Sequence, residues 1–423
     1  MITKIEKFDL LLGNKKNPGK TYLYSQIIRN ERTRRKMTLS EMAHGICSIS
    51  YLCKFEKNAI NVDEDYIKAI FERVDLDYTK VGMNIIEEGV KNVVKSYLYD
   101  KFEEIERYFL MIDDSIFNVQ NCLIKGFYYL ANEKYMEFKE IIKTIDNIKD
   151  TLLLEDVGVF MFLVVQYYVN TYQFHEAEKY LKYLDKLTFE MREINWLIYE
   201  QHFVTGYNLK CSAMVFKYYR KLMSNYNIGY PSQRQLIIRL MLLDIESKEY
   251  FEEVEKEIQN LHLAQMDDRL SSEARLWKLR IMLRGNKWFD VFDEIVDNHL
   301  YFDARFAALL LYTVDTIDDD NYRMQAVELI KDQIYDEKET IHTKFIKFML
   351  IKFTSEKKYA LIEYLKYEAL PYNALYSHHL YGEVYDRHYL EYLCHTSKYK
   401  EAFYYQTGLK TSIKQNSRVA LSQ

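Results

Sequence analysis

Between Tyr24 and Asn58 the apolar positions recur at helical spacing in three short segments separated by polar turns. Ile27 and Ile28 begin a first helix that runs through Glu31 to a basic end near Met37. Thr38 is a good N-cap for a second helix, and Glu41 stands three residues later, as a capping box requires. Met42, Ala43 and Ile46 make that helix's apolar side, with Ala43 small enough for a close crossing, and Gly45 supplies the turn. Ser48 caps a third helix, Ile49 to Lys57, that Asn58 stops in a left-handed conformation. Leu52 and Phe55 of this helix face a core, which leaves Ser50, Tyr51 and Lys54 outward. Hydroxyls and ammonium groups of that kind contact phosphates and base edges.

A second, slower period fills the rest of the chain. A basic or polar residue precedes an aromatic, and an acidic or Ala-containing helix start follows. The anchors are Phe102, Tyr135, Phe174, Cys211 (a weaker copy), Tyr250, Trp288, Tyr322, Tyr359 and Tyr399, spaced 33 to 40 residues apart. A helix before each anchor and another after it make a helical repeat, similar to tetratricopeptide-type units. No single pair can bury its apolar face, so stacking must build the core. The predicted fold class is all-α, an N-terminal helix-turn-helix followed by a right-handed superhelix of degenerate repeats. Residues 1–20 form an N-terminal extension, 21–78 the helix-turn-helix domain and 79–95 a connecting helix. Residues 96–423 form the repeat domain.

Composition narrows this picture. Only 12 Gly and 3 Pro occur in 423 residues, too few for a β-rich fold with many tight turns. Charge is unevenly placed: the chain is −5 overall, while residues 20–60 hold eight Lys/Arg against three Asp/Glu. A basic module on an acidic protein is the footprint of nucleic-acid binding. Arg34 and Arg35, with Arg29 and Lys36, are candidate phosphate contacts. The 39 Tyr suit helix–helix seams and ligand grooves alike.

The chain has no long uncharged apolar run, which predicts no membrane span. Five scattered cysteines fit a reducing cytoplasm. No Gly-rich phosphate loop, HExxH or GxSxG motif occurs, so neither an enzyme nor a cofactor site is expected. His379, His388 and His395 lack metal-ligand spacing and read as ordinary helix-surface residues. Asp318 to Asp320 read as an inter-helix loop.

The segment ICSISYLCKFEKN resembles the Xre/Cro-type helix-turn-helix, over roughly residues 25 to 75. That resemblance implies that Arg32 pairs with Glu56 inside the small domain. It also places Ser48, Ser50, Tyr51 and Lys54 on the helix that reads double-stranded DNA, with Thr38 at the opening of the helix before it. Leu39 departs from the Gln or Ser that commonly follows this Thr. Together with the repeats, the chain resembles the cytoplasmic pheromone-responsive regulators of Gram-positive bacteria and their phages, the RRNPP group. The resemblance implies a homodimer controlled by a short linear signalling peptide, as in quorum sensing. Groove-facing positions fall about 4, 8 and 12 residues before each anchor. They are Phe162, Gln166 and Asn170, then Tyr199, Phe203 and Tyr207, with Arg239 and Arg280 on a cationic wall further along. Amides suit a peptide backbone, and Arg suits a peptide carboxylate. Two other readings stay open: a repeat scaffold for a partner protein, and a DNA-binding regulator without a peptide ligand.

Overall fold

A computed structural model describes residues 22–57, 59–79, 88–114, 117–148, 152–224, 230–247, 250–259, 268–333, 335, 339–355, 358–376 and 379–407. Among them all regular structure is helical. The 1–20 extension, Asn58 and residues 80–87 of the expected connecting helix lie outside the described residues. The chain divides into two compact units, Met1–Pro231 and Ser232–Gln423. The division falls within the repeats.

The first unit opens with α1 (Tyr22–Arg34), α2 (Leu39–Ala43), α3 (Ile49–Glu56) and α4 (Glu64–Arg73). Helical pairs follow: α5 (Gly89–Leu98) with α6 (Phe102–Leu110), and α7 (Val119–Ala131) with α8 (Tyr135–Ile148). Then come α9 (Leu154–Asn170) with α10 (Phe174–Leu184), and α11 (Arg192–Asn208) with α12 (Ser212–Met223). The second unit has α13 (Ser232–Glu246) with α14 (Phe251–Gln259), α15 (Asp268–Arg284) with α16 (Trp288–Asp297), and α17 (Ala304–Ile317) with α18 (Asp320–Ile330). It continues with α19 (Ile341–Thr354), α20 (Lys358–Tyr364), α21 (Leu370–Leu375), α22 (His379–His395) and α23 (Tyr399–Gln406). A π-helical segment, Leu365–Ala369, joins α20 to α21.

A chain so poor in Gly makes its repeat turns by one recurrent device. The residue two places before the second helix takes a left-handed conformation: Asp100, Glu133, Tyr172, Lys210, Asn286 and Ser397. The next residue's N–H reaches five residues back, as in Lys101 to the Ser96 carbonyl at 2.8 Å and Gln173 to the Tyr168 carbonyl at 2.7 Å. The left-handed residue itself donates three back, Tyr172 to the Val169 carbonyl at 3.0 Å. These are Schellman motifs, which satisfy the last carbonyls of the first helix. A Cβ in this conformation costs on the order of 1 kcal/mol, so packing of the two helices must offset it.

Most anchors coincide with the first residue of a second helix. Four do not: α12 and α14 begin one residue after Cys211 and Tyr250, α20 begins one residue before Tyr359, and α18 begins two residues before Tyr322. Asp319 caps α18 by accepting from the Asn321 N–H at 2.8 Å, which pulls its start forward.

Burial in the first unit centres on α9, whose residues from Asp156 to Tyr168 are all buried. It packs against α7, α10 and α11. Gly126 lets α7 approach, because a Cβ there would lie 2.8 Å from a Leu163 methyl. α5 packs against α7 and against α11 as well. Tyr97 of α5 meets Phe127 with ring centroids 5.1 Å apart and Phe162 at 6.0 Å. α1 packs on α8, so the small N-terminal domain and the first repeats belong to one unit.

Candidate nucleic-acid interface and repeat groove

The N-terminal domain is built on a core of Ile27, Ile28, Met42, Ala43, Leu52, Phe55, Ile67, Ile70 and Phe71. Thr38 caps α2: the Glu41 N–H donates to its Oγ1 at 3.2 Å, and its own N–H donates to Glu41 Oε2 at 2.7 Å. The Thr38 hydroxyl also donates to Glu41 at 2.8 Å, so both of its hydrogen-bonding roles serve the cap. These bonds hold the Glu41 carboxyl below its ordinary pKa. Gly45 makes the turn at φ 74°. Ser48 caps α3 by accepting from the Tyr51 N–H at 3.1 Å.

Arg32 grips Glu56 through two bonds, Nε to Oε1 at 2.6 Å and Nη2 to Oε2 at 2.8 Å. Its Nη1 donates to the Met37 carbonyl at 3.0 Å. α1, the turn after it and α3 are thereby locked in one geometry. A planar fork against a carboxylate is the strong form of such a pair. Arg73, which the sequence reading did not single out, donates to the Glu41 and His44 carbonyls at 3.1 and 2.7 Å. It satisfies the C-terminal end of α2 and pins α4 to it.

On the outer side of α3, Ser48, Ser50 and Lys54 are exposed, and Ile49 is 50 % exposed beside them. Tyr51 differs from the expected outward orientation. It is half-buried, its ring 5.6 Å from that of Tyr66 on α4. Position 51 on this short helix lies next to Leu52, and the aromatic leans onto the core edge. The two arginines of the basic run also part company. Arg34 is mostly exposed and pairs with Glu31 at 2.6 Å. Arg35 bonds Asp75 at 3.1 Å and the Val74 carbonyl, which makes it a tie between α1 and the end of α4.

Among the groove candidates, Phe162 is fully buried, and Gln166 is nearly so, donating to Asn170 Oδ1 at 2.7 Å. Asn170 is half-buried. On α11 the expected register is one residue early, because α12 starts at Ser212. Counting from Ser212 puts Glu200, Val204 and Asn208, all half-exposed, on the stripe. Phe203 and Tyr207 are core residues instead, and Tyr199 lies against Tyr218, 5.9 Å between centroids, with the Lys221 ammonium 4.5 Å from its own ring. In the second unit Arg239 is held by Glu257 through bonds of 2.7 and 2.6 Å, joining α13 to α14. Arg280 stacks on Trp277, its guanidinium carbon 4.2 Å from the ring centroid.

Several polar clusters escaped the sequence reading. Asp185 accepts from the Tyr218 hydroxyl and from Lys217 at 3.3 Å, and lies 3.4 Å from His202. His202 stacks flat on Tyr218 at 3.9 Å. Burial, opposed by Asp185 and reinforced by Lys217 and Lys221, pushes its pKa down to about 4. In the second unit Arg284 of α15 donates to the buried Asp244 of α13 at 2.7 and 3.0 Å. Asp315 of α17 joins Lys352 of α19 and Arg387 of α22, the latter at 3.2 Å. His388 belongs to that network, its Nε2 3.0 Å from Lys352 Nζ, and so is no ordinary surface histidine. The two partners of Asp315 lie 37 and 72 positions away, beyond any local pattern.

Among the described residues no group of three His, Cys, Asp or Glu side chains is arranged to hold a metal ion. No described helix is long and apolar enough to cross a membrane. No family model, curated protein or solved structure matches the chain.

Proposed function

We propose that the chain is a transcription regulator that binds double-stranded DNA through α3 and is controlled by a short peptide held by the first helices of its repeats. The observation that carries this reading is the N-terminal domain. Two capped helices meet across a left-handed Gly45, the Arg32–Glu56 fork ties α3 to α1, and α3 turns Ser48, Ser50 and Lys54 outward. A major groove admits one helix, and those side chains are donors for its phosphates and base edges. This reading takes the repeats to wind into a right-handed superhelix and the protein to be an RRNPP-type regulator of the cytoplasm, on the strength of the resemblance alone. Half-site recognition calls for a two-fold homodimer. The exposed aromatics Tyr399 and Phe403 on α23 suit burial against a second copy.

Selection from a random duplex library with the full-length protein tests the reading. The expected result is an enriched, two-fold symmetric sequence whose binding weakens steeply with salt. Retention without sequence enrichment would overturn it. The aromatic filling around Phe127 and Phe162 favours the second reading, a DNA-binding regulator without a peptide ligand. Unfolding measured with and without a synthetic peptide pool separates the two, because a ligand at a hundredfold excess over Kd stabilises by about 2.7 kcal/mol.

A further inference from the structure

We infer that α5 is a resident occupant of the ligand-facing layer of the first unit, displaceable by a short apolar peptide that carries an aromatic residue. The inference rests on the reading of α7, α9 and α11 as that layer. Tyr97 of α5 fills the space between Phe127 of α7 and Phe162 of α9. Gln166 and Asn170 continue the face of Phe162 at helical spacing, and their amides bond each other at 2.7 Å. α5 also packs on α11, so it spans the layer from one side to the other.

The chemistry of α5 separates it from its neighbours. Its sequence, GVKNVVKSYL, contains Gly89, three valines, Asn92 and Ser96, all weak helix formers. Its N-cap residue, Glu88, sits at φ 51° and makes no side-chain capping bond. Yet Val90, Val93, Val94 and Leu98 are buried. Packing alone therefore holds α5 as a helix, and ten residues without packing do not stay helical in water. A segment of this kind opens locally at lower cost than the elements that it covers. α5 is also the first described helix after the N-terminal domain. The side chains that α5 presents define the ligand that competes with it: β-branched apolar residues and one aromatic anchor in the Phe127–Phe162 cleft.

Hydrogen exchange on the full-length protein gives the first test. Amides of residues 89–98 are expected to exchange at least tenfold faster than those of residues 157–168. Equal rates would show α5 and α9 opening as one unit and would sink the inference. The second test uses the synthetic peptide GVKNVVKSYL and its Tyr→Ala counterpart on the wild-type protein and on Tyr97→Ala. The Tyr peptide is expected to bind the variant at least tenfold more tightly than the wild type, and the Ala peptide to bind neither. A variant that does not fold, or one that folds and binds both peptides equally or neither, rules the inference out. Sequence-selective DNA retention by the wild type is scored separately, so failure of the regulator reading is told apart from failure of this one.

Discussion

The first helices of the two units solve one packing problem by different means. In the first unit Phe127, Phe162 and Tyr97 fill the space between helices with rings, and α9 is buried along most of its length. In the second unit Asp244 with Arg284, and Asp315 with Lys352 and Arg387, bridge one first helix to the next. Burying rings gains energy with apolar area, with a smaller preference for edge-to-face or offset stacking. Ion pairs gain only when the geometry is good and the remaining lone pairs are met. Both units keep an apolar interior, and in the second Phe345 of α19 stacks on Tyr381 of α22 with centroids 4.1 Å apart. What the second unit adds is a set of ion pairs whose carboxylates, Asp244 and Asp315, are themselves buried.

The largest effect is expected at Phe162. Truncation to Ala leaves a ring-sized hole and should cost about 4 kcal/mol in urea unfolding. A loss under about 1 kcal/mol would mean that the ring layer is loosely packed. Asp244→Ala should cost about 3 kcal/mol, because it strands the Arg284 guanidinium, while Asp244→Leu with Arg284→Met should come close to neutral. If the double variant stays as unstable as the single one, the pair is more than a packing device.

Acid should strike each unit through a buried imidazole. His202 has a folded pKa of about 4 and His342 of about 3, both below the ordinary 6.5 because burial disfavours the charged form. The unfolded chain therefore binds the extra proton, and stability present above 6.5 is lost as pH falls toward those values. At pH 5 each imidazole should cost on the order of 2 kcal/mol relative to neutral pH. An unfolding midpoint that His202→Phe leaves with unchanged pH dependence would remove His202 from this account.

Smaller changes probe the outer surfaces. Lys54→Ala should leave stability within about 0.5 kcal/mol and weaken DNA binding, with the log–log salt slope shallower by about 1 if Lys54 meets a phosphate. Arg35→Ala should do the reverse and destabilise the domain, since it unties α1 from Asp75 and Val74. The smallest effect belongs to the turns. Ser397→Gly or Lys210→Gly should stabilise by roughly 0.5–1 kcal/mol by removing a Cβ from a left-handed residue. A loss of stability instead would show that the side chain contributes more than its strain costs.

Much of the N-terminal domain was legible locally. Thr38 and Ser48 announce their caps through residue type and the three-residue step to Glu41 and Tyr51. The repeat pairs were legible from the spacing of aromatics. The start of α12 was not, because its first residue is Ser212 where the matching copies have an aromatic, so the period places the anchor at Cys211. That one-residue slip moved the expected groove stripe from Glu200, Val204 and Asn208 to Tyr199, Phe203 and Tyr207. The packing of Tyr51 and Arg35 was not legible for another reason: their partners, Tyr66 and Asp75, lie on or just after α4, far along the chain.

By itself the amino-acid sequence determined helix everywhere, the caps of α2 and α3, and the period of the pairs, because these depend on interactions within a few residues. Only the tertiary structure decided what lies against what. Tyr97 between Phe127 and Phe162, Asp244 under Arg284 and Asp315 beside Lys352 join residues from 30 to 65 positions apart, and no periodicity of side chains encodes such a meeting.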